Sequence, residues 1–377
     1  MKKILIFYGA YGGGHLAAAK SIKQYIDNNY PDAETLMIDC IEYINKYLNK
    51  LSTTAYKEMA KKAPWIWKKV YTNSGKGALS KITKGANRLM AKKLDVIIQE
   101  FKPDLVISTH PFSNQMCTDL KKKRKINCKI ATVLTDFAPH AQWTVDSDFI
   151  DYFFVSNYEI KKALTDDYGV AEFKIFVTGI PISERYLQSF NKEEIYKEFE
   201  LDPNRDVILF FAGGEFGLGR KRTRMIFRAL IRLLKNTQVV AISGKNNRMY
   251  NKFLDLVEIH NAQDRIKVFK YTTKVPELMH ISKYVITKPG GLTTTESLVS
   301  GLPIVIINPI PGQEEENAEF LEKNNLAIWI KKDDNGARVI KNIYRHPEIL
   351  DEMKENIPNF AKPHSTEDIC RILLGDK

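Results

Sequence analysis

Short apolar runs of three to six residues recur along the chain and alternate with longer stretches in which apolar residues have helical spacing. A short apolar run rich in β-branched and aromatic residues is typical of a strand buried on both faces. In the first half of the chain we predict strands at Ile4–Tyr8, Leu36–Asp39, Leu105–Thr109, Ile130–Thr135, Tyr152–Val155 and Ile175–Val177. Strands that alternate with helices predict a parallel sheet covered by helices on both faces.

A polar and charged stretch over residues 183–205 interrupts this rhythm, and the pattern then starts again. We predict the second set of strands at Val207–Phe211, Val239–Ser243, Ile266–Phe269, Tyr284–Thr287, Ile304–Ile307 and Ala327–Ile330. Each half begins with a strand that leads into a glycine-rich turn. The chain therefore contains two α/β halves, and its 377 residues agree with two domains.

The formal net charge is +12, which favours an acidic partner such as a nucleic acid, an anionic lipid or a phosphorylated substrate. Between residues 46 and 93 there are thirteen basic residues and one acidic residue, Glu58. The same segment contains Trp65 and Trp67. Tryptophan settles at the headgroup level of a bilayer and cations are attracted to anionic lipid, so the segment predicts a membrane-docking surface.

No apolar run reaches the length of about 18 residues that a membrane-spanning helix needs. We expect a mature N-terminus without a signal peptide, and a protein bound peripherally to the cytoplasmic face of the cell membrane. The four cysteines form no CxxC pair, so reduced thiols are expected rather than a zinc site. The chain has no helix-turn-helix, zinc or RNP signature, so we expect no nucleic-acid partner.

The first glycine-rich turn, residues 9–14, ends at His15. A turn of this kind between a strand and a helix lets backbone N–H groups approach an anion. A histidine at the start of the helix is poorly explained as a core residue, and the helix dipole favours its neutral form, which can accept a proton. We therefore predict a functional role for His15, as a neutral ring that can accept a proton.

Two motifs in the second half follow strands and lead into helices: "KPGGLTTTES" at residues 288–297 and "NPIPGQEEEN" at residues 308–317. In the first motif, threonines that can cap the helix leave its first turn ready for an anion, and Glu296 can accept hydrogen bonds from the hydroxyls of a ribose. In the second motif, Gln313, Glu314 and Asn317 offer amides and a carboxylate on one face to the hydroxyls of a sugar.

These motifs resemble the donor-binding half of nucleotide-sugar glycosyltransferases, a group that includes diacylglycerol glycosyltransferases and the lipid II N-acetylglucosaminyltransferase. "YGGGH" at residues 11–15 is similar to the acceptor-side loop of the same group. "TDFAPHAQW" at residues 135–143 and "APWIWKKVYTNSG" at residues 63–75 resemble the glycolipid branch, which includes monogalactosyldiacylglycerol synthase and the processive diacylglycerol glucosyltransferases. The resemblance implies a GT-B fold, in which two Rossmann-like domains face each other across a cleft.

The resemblance further implies an acceptor- and membrane-binding domain at residues 1–185, a domain for the UDP-sugar at 186–355, and a C-terminal helix at 356–377 that packs back on the first domain. It assigns catalysis to His15, with Asp136 as the rival base or as the residue that orients a histidine. The residues implied for the donor are Gly213, Gly214, Gly244, Asn246, Phe269, Gly290, Gly291, Thr293, Glu296, Gln313, Glu314 and Asn317. The residues implied for the acceptor or the membrane are Gly14, His140, Trp143, Trp65, Trp67, Lys68 and Lys69.

The implied reaction moves glucose or galactose from a UDP-hexose to the hydroxyl of diacylglycerol, with inversion at the anomeric carbon. UDP-sugar is then a substrate, and we expect neither a cofactor nor a metal, because no DxD pair stands in the donor loops. Two alternatives remain. The chain can be another GT-B enzyme that uses UDP-N-acetylglucosamine, either on another lipid acceptor or as a 2-epimerase, or it can be a non-catalytic membrane-binding relative.

Overall fold

The structure is a computed structural model that describes residues 1–9, 13–48, 93–212, 220–233 and 236–375. The chain divides into two compact units. Residues Met1–Glu184 form the first unit together with Lys362–Lys377, and Arg185–Ala361 form the second unit.

The first unit contains a sheet of six parallel strands in the order β2-β1-β3-β4-β5-β6. The strands are β1 (Lys2–Tyr8), β2 (Ala33–Asp39), β3 (Leu105–Ser108), β4 (Lys129–Val133), β5 (Tyr152–Val155) and β6 (Ile175–Val177). Because β1 pairs with both β2 and β3, the chain reverses its direction of winding there, and the carboxyl ends of β1 and β3 border a crevice of the kind in which open α/β sheets bind ligands.

Helices cover both faces of this sheet. On one face, Gly14–Asn29 and the C-terminal helix Ser365–Leu374 share a core with β1, β3 and β4. On the other face, the core contains residues of Cys40–Leu48, of the helical stretch 93–101 and of Pro111–Lys122. The helix Tyr158–Asp166 packs in a further cluster beside β5.

The second unit contains another sheet of six parallel strands, in the order β12-β11-β10-β7-β8-β9. The strands are β7 (Asp206–Phe211), β8 (Thr237–Ile242), β9 (Ile266–Phe269), β10 (Ser282–Thr287), β11 (Ile304–Ile306) and β12 (Ala327–Trp329). The helices are Lys192–Glu198, Arg220–Leu233, Asn247–Ile259, Val275–Ile281, Gly291–Val299, Gln313–Lys323, Gly336–Arg345 and Glu348–Asn356. The winding reverses between β7 and β10, so the switch point lies where these two strands end.

Each of the twelve predicted strands is present in the structure, and those at Tyr152–Val155, Ile175–Val177 and Ile266–Phe269 have the predicted bounds. Continuous apolar runs mark these strands because both faces of a parallel sheet are buried. Within the described residues, no helix is both long enough and apolar enough to cross a membrane.

Gly179, shortly after β6, lies against the segment that returns from the second unit. Its φ is +91°, and a Cβ there would lie 2.5 Å from the Cβ of Lys362. Close by, the hydroxyls of Ser365 and Thr366 donate to the carbonyl oxygens of Ile180 and Ile182, each at 2.8 Å. The absence of a side chain at Gly179 therefore permits the C-terminal segment to pack against the loop that follows β6.

We predict that Gly179→Ala lowers the free energy of unfolding by about 2–4 kcal/mol, because the left-handed backbone costs about 1 kcal/mol and the clash about 1–3 kcal/mol. Gly169→Ala is the matched control, because its φ is +68° and no atom lies within 4 Å of the added Cβ. The control should lose only about 1 kcal/mol. Equal losses in denaturant titrations of the two variants would contradict the role of the close approach.

Candidate active site

Three neighbouring strands of the first unit end beside one another at the same edge of the sheet. His15 follows β1 as the second residue of the helix Gly14–Asn29, Thr109 follows β3, and Thr135 follows β4 shortly after its last residue. Parallel pairing of β1 with β3, and of β3 with β4, brings these residues together although they are distant in sequence.

The imidazole of His15 is held by contacts to both threonines. Its Nδ1 lies 2.6 Å from the carbonyl oxygen of Thr109 and 3.0 Å from the hydroxyl oxygen of Thr135. The hydroxyl of Thr109 in turn donates to the backbone carbonyl of His15 at 2.9 Å. The side chain and the backbone of His15 are therefore both fixed to the ends of the adjacent strands.

These contacts decide which nitrogen of His15 is basic. A carbonyl oxygen only accepts hydrogen bonds, so Nδ1 carries the hydrogen and donates it to Thr109. The lone pair of the neutral ring is then on Nε2, which is the atom able to accept a proton. Burial lowers the pKa of His15 to about 4, while the Thr109 carbonyl opposes this shift. The ring is therefore neutral at physiological pH, and burial is the main cause of the lowered pKa.

His110 packs against His15 and was not predicted as a site residue. The two rings meet edge to face, with centroids 4.7 Å apart. The Nδ1 of His110 accepts a hydrogen bond from the backbone N–H of Phe112, and burial, followed by the proximity of His15, lowers its pKa well below the usual value. A Cβ on Gly9 would lie 2.8 Å from the His110 ring, so the glycine after β1 makes room for the histidine.

The structure also describes three other predicted residues of the first unit: Asp136, His140 and Gly14. Asp136 follows Thr135, is 6% exposed, and accepts a hydrogen bond from the Ser156 hydroxyl at its backbone carbonyl. His140 caps a short 3₁₀ helix by accepting from the N–H of Gln142. Gly14, which is partly exposed, is the first residue of the helix that carries His15.

The side chain of Trp143 is buried, and its acceptor or membrane role stays a prediction. Trp143 is 2% exposed and belongs to the core cluster that includes Leu134, Ile150 and Phe153. The short 3₁₀ helix Ala141–Trp143 turns the indole inward, and a pattern of only three residues does not show this direction in the sequence.

Several predicted residues lie outside the described part of the chain. They are Trp65, Trp67, Lys68 and Lys69 of the basic segment, and Gly213 and Gly214 of the second glycine-rich turn. Their assignments stay predictions.

In the second unit, the helix Gly291–Val299 begins directly after β10, close to the switch point. Its N-cap is Gly290, so no side chain caps its first turn, and the space that a Cβ on Gly290 would occupy is open. The predicted threonine cap is wrong, because the hydroxyl of Thr295 donates back to the carbonyl of Gly291 at 2.8 Å. Thr293, in the first turn, is partly buried. The N-terminus of this helix can therefore receive an anion through its backbone N–H groups.

Glu296 lies further along this helix, and its carboxylate accepts a hydrogen bond from the hydroxyl of Tyr186. Burial raises the pKa of Glu296 to about 7, while the bond from Tyr186 opposes the shift. The neighbouring Arg185 forms an ion pair with Glu277 at 2.7 Å. Two adjacent residues, Arg185 and Tyr186, therefore bind carboxylates of the second unit. A carboxyl group with this pKa changes its charge near neutral pH.

The residues predicted to contact the hexose lie around the start of the helix Gln313–Lys323. Glu314 accepts a hydrogen bond from the N–H of Ile310 at 2.6 Å, and Lys288 lies 3.9 Å from the same carboxylate. Asn317 is fully buried and donates to the carbonyl of Pro289 at 3.0 Å. Gln313 is the first residue of the helix and is partly exposed. The hydrogen bond from Asn317 thus stabilises the loop that precedes Gly290. The predicted contact of Asn317 with the hexose stays a prediction.

The residues predicted for the uracil follow β8 and β9. Gly244 has a φ of +60° that favours glycine, and Asn246 caps the helix Asn247–Ile259 by accepting from the N–H of Met249. Phe269 ends β9, packs edge to face on Phe199, and accepts a hydrogen bond from the N–H of Ser243 at its carbonyl. All these residues are at the carboxyl edge of the second sheet, as the predicted donor site requires.

Prediction from the sequence missed Thr109, His110 and Thr135 in the first unit and Tyr186 in the second. The available signal for the first three was their position at the carboxyl ends of two predicted strands, Leu105–Thr109 and Ile130–Thr135, or directly after one of them. Tyr186 has no such signal, because it lies in the polar stretch before the first strand of the second unit. Among the described residues, no three His, Cys, Asp or Glu side chains form a cluster that could hold a metal ion.

Solved structures show the same fold across almost the whole chain. A UDP-GlcNAc 2-epimerase from Neisseria meningitidis bound to UDP-GlcNAc is 15% identical, with a TM-score of 0.65 and coverage of 100% of both chains. MurG from Acinetobacter baumannii is also 15% identical, with a TM-score of 0.65 and coverage of 99% of both chains. The predicted fold class, two Rossmann-like domains of the GT-B type, is confirmed.

Family models match both halves of the chain. The monogalactosyldiacylglycerol (MGDG) synthase model matches residues 15–182, and the model of the glycosyltransferase family 28 C-terminal domain matches residues 220–367. The first match includes His15, Thr109 and Thr135, and the second includes Glu296.

Curated relatives match over the full length. The processive diacylglycerol beta-glucosyltransferase of Bacillus cereus (strain AH187) is 30% identical over 385 residues, which cover 99% of this chain and 94% of the relative. The protein of the same name from Bacillus pumilus (strain SAFR-032) is 30% identical over 383 residues with the same coverage. The predicted family resemblance is confirmed, and the chain belongs to the family of diacylglycerol glycosyltransferases that contains monogalactosyldiacylglycerol synthase and the processive diacylglycerol β-glucosyltransferases.

Proposed function

We propose that this enzyme transfers a hexose from a UDP-sugar to the hydroxyl of diacylglycerol and so makes a membrane glycolipid. The observation that carries this proposal is the similarity to processive diacylglycerol beta-glucosyltransferases over 99% of the chain. The fold does not choose between a transferase and an epimerase, because a UDP-GlcNAc 2-epimerase has it too. The full-length relatives favour the transferase.

The transfer inverts the anomeric carbon. The sugar of UDP-glucose or UDP-galactose is α-linked, whereas the relatives are named for β-products. Inversion needs one displacement by the acceptor hydroxyl, and this displacement needs a base. The Nε2 of His15 takes the hydroxyl proton, and the Thr109 carbonyl stabilises the imidazolium that forms. Asp136 remains the rival base.

The donor binds at the carboxyl edge of the second sheet. The first-turn N–H groups of the helix after Gly290, and Lys288 beside it, offset the charge that develops on the departing diphosphate, without a metal. Glu296 accepts hydrogen bonds from the ribose hydroxyls. Support for this arrangement comes from the uncapped start of that helix and from the buried carboxylate in the same helix.

The other donor contacts are those that the family resemblance implies. Gly213, Gly214 and Thr293 lie near the diphosphate, and Gln313 and Glu314 contact the hexose. Gly244, Asn246 and Phe269 surround the uracil. The described residues among them lie at the end of a strand of one parallel sheet or shortly after one, and these positions support this division of tasks.

The acceptor is drawn from the membrane, and the protein docks peripherally on its cytoplasmic face. The basic, tryptophan-bearing segment over residues 46–93 supports this proposal through its composition alone. Cations near an anionic leaflet contribute about 1 kcal/mol each before screening by salt.

The reaction itself is tested with purified protein, diacylglycerol vesicles and a panel of UDP-glucose, UDP-galactose and UDP-N-acetylglucosamine. We expect mass spectrometry to find a glycosylated diacylglycerol, and UDP release that depends on the lipid. Conversion of UDP-N-acetylglucosamine without lipid would instead favour the epimerase. No product and no UDP release with any donor would favour a non-catalytic relative.

We predict that His15→Ala lowers kcat by about 10²–10⁴-fold, the range for the loss of a general base, and leaves UDP affinity nearly unchanged. The affinity is expected to persist because the donor residues belong to the second unit. Turnover assays and calorimetry with UDP measure the two effects.

His364→Ala is the control for this substitution, because the His364 side chain is exposed and is not among the proposed site residues. It should keep wild-type turnover. If His15→Ala retains a tenth or more of the wild-type rate while Asp136→Asn does not, Asp136 is the base.

We predict that UDP-glucose affinity rises by up to about tenfold between about pH 6 and 8, because the ribose hydroxyls donate to an ionised Glu296. The carboxyl of the free protein has a pKa of about 7, so below pH 7 binding must first remove its proton. UDP-glucose is the probe because its diphosphate does not titrate in this range.

Glu296→Gln removes the titrating group and should bind UDP-glucose more weakly than wild type at pH 8, with little dependence on pH. Calorimetry at several pH values compares the two proteins. Equal pH profiles for wild type and Glu296→Gln would remove Glu296 from the ribose site.

A further inference from the structure

The second unit carries a strongly basic face. Three helices lie side by side on one face of its sheet and share one core: Gly336–Arg345, Arg220–Leu233 and Asn247–Ile259. Gly336–Arg345 contains three basic residues and Arg220–Leu233 contains six, and neither helix contains an acidic residue. Asn247–Ile259 contains two basic and two acidic residues. We call the outward side of these three helices the basic face.

The basic side chains on the central helix form one exposed stripe. Lys221, Arg224, Arg228 and Arg232 are spaced three or four residues apart and are all exposed. On the flanking helices, Lys252, Lys341 and Arg345 are exposed as well. Two of these three helices, Arg220–Leu233 and Gly336–Arg345, contain no acidic residue within their own length.

Charge on this unit is unevenly distributed. The helix Gln313–Lys323 contains five glutamates and one lysine. It connects β11 to β12, so the winding of the sheet places it on the face opposite the helices that follow β7 and β8. The cations are thus concentrated on one face, where they repel one another and attract an anionic partner.

Apolar side chains are exposed among these cations. A surface groove of about 390 Å³ lies between Arg220–Leu233 and Asn247–Ile259, and the residues that line it include Lys221, Arg224, Arg228, Met225, Asp255 and Ile259. Met225 is 56% exposed and Ile259 is 69% exposed. The one acid of the groove, Asp255, pairs with Lys252 at 2.8 Å.

The nucleotide-sugar does not account for this stripe. The donor belongs at the carboxyl edge of the sheet, and the central helix starts there, after β7, and runs away from it. Arg232 lies about 18 Å further along the helix axis than Arg220, at a rise of about 1.5 Å per residue. Most of the stripe is therefore too far from that edge to contact a diphosphate.

We propose that the basic face docks on an anionic membrane surface, with its cations at the lipid headgroups and Met225 and Ile259 at the boundary with the acyl chains. Cations that flank exposed aliphatic side chains are the signature of an interfacial surface. Nucleic acid fits less well, because binding of single strands relies on aromatic side chains and the groove is lined by none. The choice of a membrane as the partner rests on the proposed lipid acceptor, and the surface is distinct from the segment over residues 46–93.

The test uses the full-length protein and vesicles of phosphatidylcholine with about one third phosphatidylglycerol. The first variant reverses the charge of three residues of the exposed stripe, with Arg224→Glu, Arg228→Glu and Arg232→Glu. The second variant reverses the charge of two residues on the neighbouring helix, with Lys341→Glu and Arg345→Glu. These two are the face variants. The control reverses three exposed lysines elsewhere on the same unit: Lys192→Glu, Lys197→Glu and Lys354→Glu. Circular dichroism and UDP affinity verify that each variant is folded.

We expect the first variant to bind these vesicles at least about tenfold more weakly at low salt, the second variant to weaken in the same direction, and the control to stay within about twofold of wild type. The loss should shrink as salt rises, because screening removes the same attraction. Met225→Ser with Ile259→Ser should weaken binding at every salt concentration.

Three results would overturn the proposal: wild-type protein that does not bind anionic vesicles, face variants that bind them like the control, or face variants that lose RNA binding while vesicle binding is unchanged. Turnover on a short-chain diacylglycerol dispersed in detergent separates this proposal from the proposed function. If the face variants bind vesicles more weakly but the wild-type protein makes no glycolipid from any donor, the membrane-docking proposal holds and the proposed function is wrong. If the protein makes glycolipid but the face variants bind vesicles as the wild type does, the proposed function holds and the membrane-docking proposal is wrong.

Discussion

The parallel direction of the strands within each sheet is the constraint on which the proposed site of each unit depends. In each sheet the six strands point the same way, so every loop that follows a strand emerges at one edge. The reversal of winding, at β1 and β3 in the first unit and at β7 and β10 in the second, separates adjacent loops and leaves room between them. His15 and the helix start at Gly290 both lie at such a reversal, one in each unit.

Burial shifts the pKa values of His15 and Glu296 in opposite directions. Desolvation lowers the pKa of His15, so the imidazole is neutral, and it raises the pKa of Glu296, so the carboxyl group readily holds a proton. Both shifts favour the uncharged form of a group before substrate is present. The Thr109 carbonyl and the Tyr186 hydroxyl then stabilise the charged forms that the proposed reaction and the proposed ribose contact need.

The strands could be predicted from the sequence because burial on both faces leaves a local signature, a run of apolar residues. His15 could be found for a similar reason, since its glycine turn and helix start are adjacent in sequence. The groups that orient it could not be found in this way. Thr109 and Thr135 are 94 and 120 residues from His15, and only the lateral order of β1, β3 and β4 brings them together.

Some side-chain directions were not visible in the sequence. Trp143 ends a motif that the family resemblance tied to the acceptor side, and a single turn of 3₁₀ helix directs its ring into the core. The threonines after Gly291 resemble helix caps in their order, yet Thr295 is already inside the helix and bonds to the preceding turn. In both cases a shift of one or two residues in the position of a turn changes the direction of a side chain.

The path of the chain through the first unit has a consequence for synthesis on the ribosome. Ile369, Cys370 and Leu373, near the end of the chain, belong to the same core as Ile4 and Ile6 at its start. The second unit, by contrast, is one uninterrupted segment, Arg185–Ala361. Domains fold as units while the chain emerges, so the second unit can complete its core first. The first unit must wait, with part of one face of its sheet uncovered, until the helix Ser365–Leu374 leaves the exit tunnel.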